Sequence, residues 1–273
     1  MKTAFLETSA VNRAIALGLD ATAAHDCLAR HGLRPVVGAH VVYELAATFL
    51  RPEQANVGKG LFRFVRDLDA SFAPETGNLL AQEVLNLRTN AAVLPFLSDE
   101  NQIATRLEVH RLAEGIFDGR AKAFIQGLEA EIGGEHPKMM KEYIEHVRRV
   151  RAKRRNSLPS LRQFEDVRDY FRDKAPEMIR AILHGQVTPA EAVDLSARLT
   201  SFPAIRATLA SNLYLMYICI AHRAAPGDDK LDDYRHLIDA SYCNVILSYD
   251  GKVRHAAPHI APHLQLLAWE DLT

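Results

Sequence analysis

Short apolar runs near both ends of the chain alternate with segments in which apolar residues recur at helical spacing. The runs at residues 3–6, 35–37, 244–248 and 264–269 have the length of buried β-strands. Strands that alternate with helices are typical of a parallel sheet. The pattern therefore predicts an α/β fold in which a parallel sheet is flanked by helices.

The middle of the chain has a different pattern. From about residue 82 to residue 199, apolar positions recur at helical spacing, with glycine and proline breaks and no convincing strand. The predicted helices in this region cover residues 101–117, 121–132, 136–155 and 162–184. We predict a discontinuous α/β domain, residues 1–75 and 201–273, that carries a large all-helical insertion at residues 76–200.

The composition is that of an ordinary globular protein. The chain has 273 residues, 48% hydrophobic and 25% charged, and its net charge of −1 gives no global field to attract nucleic acid. The three cysteines form no CxxC pair, which suits a reducing compartment. The start lacks the apolar run of a signal peptide, and residues 213–221 are too short an apolar stretch to cross a membrane. We expect a cytoplasmic protein without a membrane segment.

Two acidic residues follow predicted strands. Glu7 comes at the end of the first apolar run, and Asp250 comes just after the third. Ligands of parallel α/β sheets bind outside the carboxyl ends of the strands, so these two acids would face one crevice. The alternative interpretation is that both are exposed loop residues.

Glu44 lies on the predicted helix that follows the second strand. It is the only formally charged residue between Arg34 and Arg51, and no lysine or arginine lies three or four residues away to pair with it. A half-buried carboxylate in such a helix is costly unless a metal ion or a distant cation neutralises it. The alternative is a glutamate that extends to solvent.

Four aspartates crowd the predicted start of a helix near the end of the chain: Asp228, Asp229, Asp232 and Asp233. Helix capping and the helix dipole explain one or two of them. Four repel one another unless a cation is present.

Taken together, these positions resemble the PIN-domain family, which includes VapC-type toxins and other metal-dependent ribonucleases. The similarity covers about residues 3–50 and 203–268. The segments that carry it are Phe5-Leu6-Glu7-Thr8-Ser9, Glu44 on its apolar helix, Asp233-Tyr234-Arg235-His236, and Tyr242-Cys243-Asn244-Val245-Ile246-Leu247-Ser248-Tyr249-Asp250.

The resemblance implies a PIN-like fold and an endoribonuclease that hydrolyses RNA phosphodiester bonds at a carboxylate-bound Mg²⁺ or Mn²⁺ ion. We expect the four catalytic carboxylates to lie within about 10 Å of one another and, without metal, at least one of their pKa values to be raised by repulsion. The implied catalytic residues are Glu7, Glu44, Asp233 and Asp250. The implied metal ligands are Glu7, Asp233 and Asp250, oriented by Thr8, Ser9, Ser248 and His236.

Two features favour an alternative function. The family has aspartate where Glu7 stands in this chain, and the longer side chain changes the geometry that is offered to a metal. The helical insertion is also large. Both features suit a catalytically weak PIN-like module that binds RNA or protein.

A basic segment in the insertion is the candidate RNA contact, because cations bind phosphates. Its residues are Arg148, Arg149, Arg151, Lys153, Arg154 and Arg155. The alternative is a solvated helix end, where positive charge is favoured by the dipole. Besides RNA, an antitoxin or other protein and a second copy of the chain are candidate partners.

Three histidines spaced by four residues would align on a helix, namely His255, His259 and His263. Pro258 and Pro262 fall within that spacing and are expected to break a regular helix. We therefore predict a loop that leads to the last strand, in preference to a zinc site.

Overall fold

A computed structural model describes residues 2–133, 145, 162–221 and 230–272. Five parallel strands form one sheet in the order β3-β2-β1-β4-β5. The strands are β1 (Lys2–Leu6), β2 (Leu33–Gly38), β3 (Ser71–Ala73), β4 (Val245–Leu247) and β5 (Gln265–Leu267). The predicted α/β class with a parallel sheet is confirmed. The pattern analysis missed β3.

The first strand lies at the centre of the sheet. Phe5 is in register with Val36 of β2 on one side and with Ile246 of β4 on the other. All three of these side chains are buried, because helices cover both faces of the sheet. The two ends of the chain therefore meet along β1.

Most of the remaining described residues are in α-helices. In the first half they are α1 (Thr8–Ala16), α2 (Ala21–Arg30), α3 (Ala39–Ala46), α4 (Ala55–Asp67), α5 (Thr76–Thr89), α6 (Asp99–Ala113) and α7 (Gly119–Gly133). In the second half they are α8 (Phe164–Tyr170), α9 (Ala175–Ile182), α10 (Pro189–Ala197), α11 (Pro203–Ala221), α12 (Lys230–Asp239) and α13 (Gly251–Ile260).

The central region adds no strand to the sheet over the part of it that the structure describes, as predicted. The helix predicted at residues 136–155 lies outside the described residues. The single helix predicted at residues 162–184 is wrong, because α8 and α9 are separated by a 3-10 turn at Arg172–Lys174. Pro176 explains the break, since it lacks an N–H and fits only the first turn of a helix.

The central helices share the core of the sheet. Leu79 of α5, Leu112 of α6 and Ile179 of α9 are fully buried in the same cluster as Phe5 of β1. These helices have no separate core among the described residues. The division into an α/β domain and an insertion at residue 76 stays a prediction.

A buried glutamate fixes the start of α11. Glu83 of α5 has no exposed surface, and its two carboxylate oxygens accept hydrogen bonds from the backbone N–H groups of Ala204 (2.8 Å) and Ile205 (2.7 Å). The hydroxyl of Tyr242 donates a third hydrogen bond at 2.6 Å. Glu83 therefore satisfies N–H groups that have no partner inside the helix.

The loop predicted around the three late histidines is wrong, because residues 251–260 form α13. Pro258 lies in the last turn, where its missing N–H costs the helix a single hydrogen bond. His263 follows the helix, and its Nε2 lies 2.7 Å from the carbonyl oxygen of Ser241. The ring of His259 instead packs against the rings of Phe164 and Tyr214.

No helix within the described ranges is both long enough and apolar enough to cross a lipid bilayer.

Candidate metal centre

A crevice opens where the order of the strands reverses. From β1 the chain continues outward to β2 and β3 on one side, whereas β4 and β5 extend the sheet on the other side. The segments that follow β1 and β4 therefore diverge at the carboxyl edge of the sheet, which is where open α/β sheets bind ligands. Glu7 follows β1, and Ser248 follows β4.

Glu7 is held firmly at one edge of this crevice. It is the N-cap of α1, and its Oε2 accepts hydrogen bonds from the backbone N–H of Ser9 (3.0 Å), from the Ser9 hydroxyl and from the Ser248 hydroxyl (3.1 Å). Only 5% of the residue is exposed. All three of these donors engage Oε2, while Oε1 faces His236 at 3.7 Å from Nε2.

Glu44 projects from α3 into the same crevice. Its Oε1 lies 3.3 Å from Nε2 of His40, its Oε2 lies 3.2 Å from Nε2 of His236, and the Thr8 hydroxyl donates a hydrogen bond to Oε2. The side chain is 32% exposed. Glu44 therefore contacts three protein groups and does not simply extend to solvent.

The charge balance at Glu44 differs from the one expected. Burial raises the pKa of its carboxyl, but the interactions with His236 and His40 lower it by more. The net result is a pKa well below its ordinary value. Glu44 therefore does not show the raised pKa that was expected for at least one of the four carboxylates. The physical reason is that two imidazoles, which the sequence argument did not consider as counter-charges, lie beside it.

His236 connects the two glutamates. Burial lowers the pKa of its imidazole, but contact with Glu44 and the negative charges of Glu44, Glu7 and Asp239 raise it to about 9. Its Nδ1 is buried and has no hydrogen-bond partner within the described ranges. The residue is only 2% exposed, so its imidazole depends on these carboxylates for its stability in the interior.

Asp239, which was not among the predicted site residues, is a buried carboxylate that interacts electrostatically with His40 and His236. The Thr76 hydroxyl donates a 2.7 Å hydrogen bond to its Oδ1. Burial raises the pKa of its carboxyl, against the lowering effects of Thr76 and of the charge on His40. A Cβ at Gly38 would lie 2.8 Å from the Phe5 ring and 3.5 Å from Oδ2 of Asp239, so only glycine allows this close packing.

The other two predicted catalytic acids have partners within the protein. Lys252 donates a 2.8 Å hydrogen bond to Oδ2 of Asp233. Asp250 is the N-cap of α13, where its Oδ1 accepts from the N–H groups of Lys252 (2.6 Å) and Val253 (3.0 Å). The backbone N–H of Asp250 donates to the Ser248 hydroxyl at 3.1 Å, and that hydroxyl in turn donates to Glu7. Asp250 thus borders the crevice through Ser248.

The structure brings most of the predicted site together. Each of the four residues named as supports contacts a crevice glutamate, as does His40. The Thr8 hydroxyl and His236 contact Glu44, and the hydroxyls of Ser9 and Ser248 donate to Glu7. The basic segment at residues 148–155 and Asp228 and Asp229 lie outside the described residues. The catalytic and ligand roles of these side chains stay predictions.

Sequence reasoning missed His40 and Lys252. A signal for His40 was present, since it stands four residues before Glu44 on one helix and therefore shares its face. No such signal existed for Lys252, because its partner Asp233 lies on a different helix, 19 residues earlier in the chain.

The donor atoms fit a divalent metal. One donor atom from each of His40, Glu44 and His236 lies within 4.8 Å of the other two. Two imidazole nitrogens and a carboxylate oxygen form a donor set that first-row transition metals accept. Comparison of the chain with protein-family profiles, with curated proteins and with solved structures found no match.

Proposed function

We propose that the protein is a metal-dependent phosphodiester hydrolase that acts on RNA as an endoribonuclease. The observation that carries the proposal is the convergence of Glu7 and Glu44 on His236, at the point where the strand order reverses. Carboxylates and imidazoles gathered at this edge can hold a divalent ion. RNA as the substrate comes from the resemblance to PIN-domain ribonucleases, as does the expectation of Mg²⁺ or Mn²⁺.

Each crevice residue would have a separate role in such a reaction. A bound divalent ion would lower the pKa of a coordinated water and stabilise negative charge on the phosphate. Oε2 of Glu7 is engaged by hydrogen bonds and Oε1 faces the crevice, so Glu7 would be the group that accepts a proton from a nucleophilic water. Thr8 holds the carboxylate of Glu44 in position through its hydroxyl. The Lys252 ammonium group offers the crevice a positive charge for a phosphate oxygen.

A cleavage assay tests this proposal. The chain is stripped of metal, supplied with a divalent ion, and incubated with a panel of fluorescently labelled single-stranded RNAs. We expect internal cleavage that needs the ion and that falls at least a hundredfold in Glu44→Gln, a loss of the order seen when a group that stabilises the transition state is removed. Glu53→Gln, on the surface 3-10 turn before α4, serves as the matched control.

Two results would contradict the proposal. One is an absence of cleavage under every metal condition, and the other is equal cleavage by Glu44→Gln and wild type, which would indicate a contaminating nuclease. Circular dichroism of each variant establishes that the fold is retained.

A second candidate is supported by a specific observation. Asp233 is paired with Lys252, and Asp250 caps α13, so two of the four acids already have partners in the protein. Acidic residues that already have partners within the protein would suit a module that binds RNA or another protein and does not cleave RNA. Under this alternative, the wild type shifts labelled RNA in a gel or captures a protein partner such as an antitoxin, yet leaves the RNA intact.

We further propose that the protein acts in the cytoplasm. The cysteine pattern of the sequence supports this location, and the absence of a candidate membrane helix within the described ranges is compatible with it. Self-association into a homodimer is testable by light scattering on the same preparation.

A further inference from the structure

Two buried imidazoles meet one carboxylate in the crevice. Nε2 of His40 and Nε2 of His236 lie 3.3 Å and 3.2 Å from the two oxygens of Glu44. We propose that His40, Glu44 and His236 bind a divalent ion that favours nitrogen ligands, of the Zn²⁺ or Fe²⁺ type, in preference to Mg²⁺. The inference rests on the proposed function only in placing a metal ion in this crevice, and it does not depend on the substrate.

His40 provides the first independent observation. It is 2% exposed, yet neither of its ring nitrogens has an aligned hydrogen bond within the part of the chain that the structure describes. A buried imidazole without hydrogen bonds is costly. Because Nε2 points at the carboxylate of Glu44 without the alignment of a hydrogen bond, a cation between the two groups would satisfy both of them.

The distances between ligand atoms suit a small transition-metal ion. Zn²⁺ takes nitrogen and oxygen ligands at roughly 2.0–2.2 Å, so two ligands of a tetrahedral site lie about 3.4 Å apart. The separations of 3.3 Å and 3.2 Å approach that value before any adjustment of the side chains. These two separations involve different oxygens of Glu44. Because all the donor atoms lie within 4.8 Å of one another, side-chain adjustment is needed to bring them around one ion.

The donor set selects the type of metal. Mg²⁺ prefers oxygen ligands in octahedral geometry and releases its waters reluctantly. Imidazole suits Zn²⁺ and Fe²⁺, and two histidines with one carboxylate leave further coordination positions open. Glu44 is 32% exposed, so an ion can enter and retain a water there. Oε1 of Glu7, 3.7 Å from Nε2 of His236, borders that open side.

Surrounding groups support the proposed ligands. The Thr8 hydroxyl donates to Glu44 and fixes the orientation of its carboxylate. Oδ2 of Asp239 is buried without a hydrogen-bond partner within the described ranges. Metal-binding histidines commonly present their second nitrogen to a carboxylate, and Asp239 is a buried carboxylate that interacts electrostatically with both His40 and His236.

Calorimetry on the full chain, stripped with a chelator, tests the proposal directly. We expect one equivalent of Zn²⁺ to bind at least about a hundredfold more tightly than Mg²⁺ at equal ionic strength. Co²⁺ serves as a spectroscopic probe, and its visible absorption should show a site of low coordination number that Zn²⁺ displaces. Mg²⁺ binding as tightly as Zn²⁺ would overturn the proposal.

Variants locate the site. His40→Asn and Glu44→Gln should each weaken Zn²⁺ binding at least about tenfold, whereas His25→Asn, a change at an exposed histidine on α2, should leave it unchanged. Unchanged affinity in both crevice variants would also overturn the proposal. Should a crevice variant fail to fold, electron spin-echo spectroscopy of Cu²⁺-loaded wild type detects coordinated imidazole nitrogen without a mutation. An absence of imidazole coupling would count against the site.

The outcome is separable from that of the proposed function. Tight Zn²⁺ binding by a protein that cleaves no RNA supports this inference and contradicts the nuclease. Cleavage with Mg²⁺ that survives His40→Asn supports the nuclease and contradicts this inference.

Discussion

Glu44 and Glu83 are the same residue type in two different environments. Glu83 has no exposed surface, and its carboxylate is surrounded by two backbone N–H groups and a tyrosine hydroxyl. Glu44 is one-third exposed and faces two imidazoles and a threonine hydroxyl. Burial raises the pKa of Glu83, against the lowering effect of its donors, whereas the imidazoles lower the pKa of Glu44.

The difference shows how a buried acid can be assigned a role. Two backbone N–H groups and a tyrosine hydroxyl, none of them a strong metal ligand, hold the carboxylate of Glu83, so this residue ties α5 to α11. The partners of Glu44 are themselves metal ligands, and they can exchange a mutual contact for a shared ion. The identity of the surrounding donors, more than the extent of burial, separates the structural carboxylate from the candidate functional one.

The largest effect is expected at the structural glutamate. Glu83→Ala removes the acceptor of three hydrogen bonds and leaves buried donors unpaired, which should lower the free energy of unfolding by about 2–4 kcal/mol. Urea denaturation measures the loss. Metal affinity, measured on the folded variant by calorimetry, should not change. A weakened affinity with intact fold would remove the distinction between the two glutamates.

The pH dependence of stability should sharpen the comparison. The folded pKa of His236, about 9, lies above its ordinary value of 6.5, so its contribution to stability is fully present below pH 6.5 and is lost as pH rises through 9. The pKa of Glu44 is lowered, so its contribution is present above its ordinary value of 4.5 and is lost as the solution becomes more acidic.

Urea denaturation in a chelator between pH 5 and pH 9 measures this effect. Wild type should lose more stability than Glu44→Gln as pH rises from 6.5 to 9, because the variant has already lost the main partner of His236. Asp239 titrates in both proteins, so its contribution largely cancels in the difference. Parallel curves for the two proteins would show that the imidazole and the carboxylate are not coupled.

A smaller effect is expected at the cap of α13. Asp250→Ala should lower the free energy of unfolding by about 1 kcal/mol, whereas Asp250→Asn should change it little, since asparagine caps a helix about as well as aspartate. The metal response of Asp250→Asn in a thermal melt then reports separately on any role as a ligand. Loss of that response with unchanged stability would place Asp250 in the metal site.

The smallest change in stability is expected at Lys252. Its ion pair with Asp233 is partly exposed, so Lys252→Met should lower the free energy of unfolding by less than about 1 kcal/mol. The same substitution removes a positive charge that competes with a divalent ion near the crevice. We therefore expect a modest increase in metal affinity by calorimetry, and a decrease would show that the ammonium group does not oppose metal binding.

Much of the sheet could be predicted because four of its strands contain a short apolar run. β1, β2, β4 and β5 were placed to within about two residues, since strands buried on both faces appear as continuous apolar runs. β3 was missed because Ser71, Phe72 and Ala73 are too few to form a pattern. It exists because Ser71–Ala73 pairs with residues 36–38 of β2, a tertiary effect that no local signal records.

The site was predictable to the extent that topology determines it. The approach of Glu7 and Ser248 follows from two parallel strands that end at one edge. The pairing of Glu44 with His40 and His236 does not follow from a search for lysine and arginine partners, because histidine was treated as neutral. In a buried site beside carboxylates, histidine becomes a cation, and only the three-dimensional arrangement reveals this.

The hydrogen bond between Ser248 and Glu7 joins residues 241 positions apart in the chain. During synthesis the first strand emerges early, but its partner β4 and the serine that completes the Glu7 environment emerge more than two hundred residues later. The crevice therefore cannot assemble on a ribosome until residue 248 has left the exit tunnel. A nascent chain would carry Glu7 and Glu44 without His236, so any activity of this site would begin only once the late strands had docked against the first.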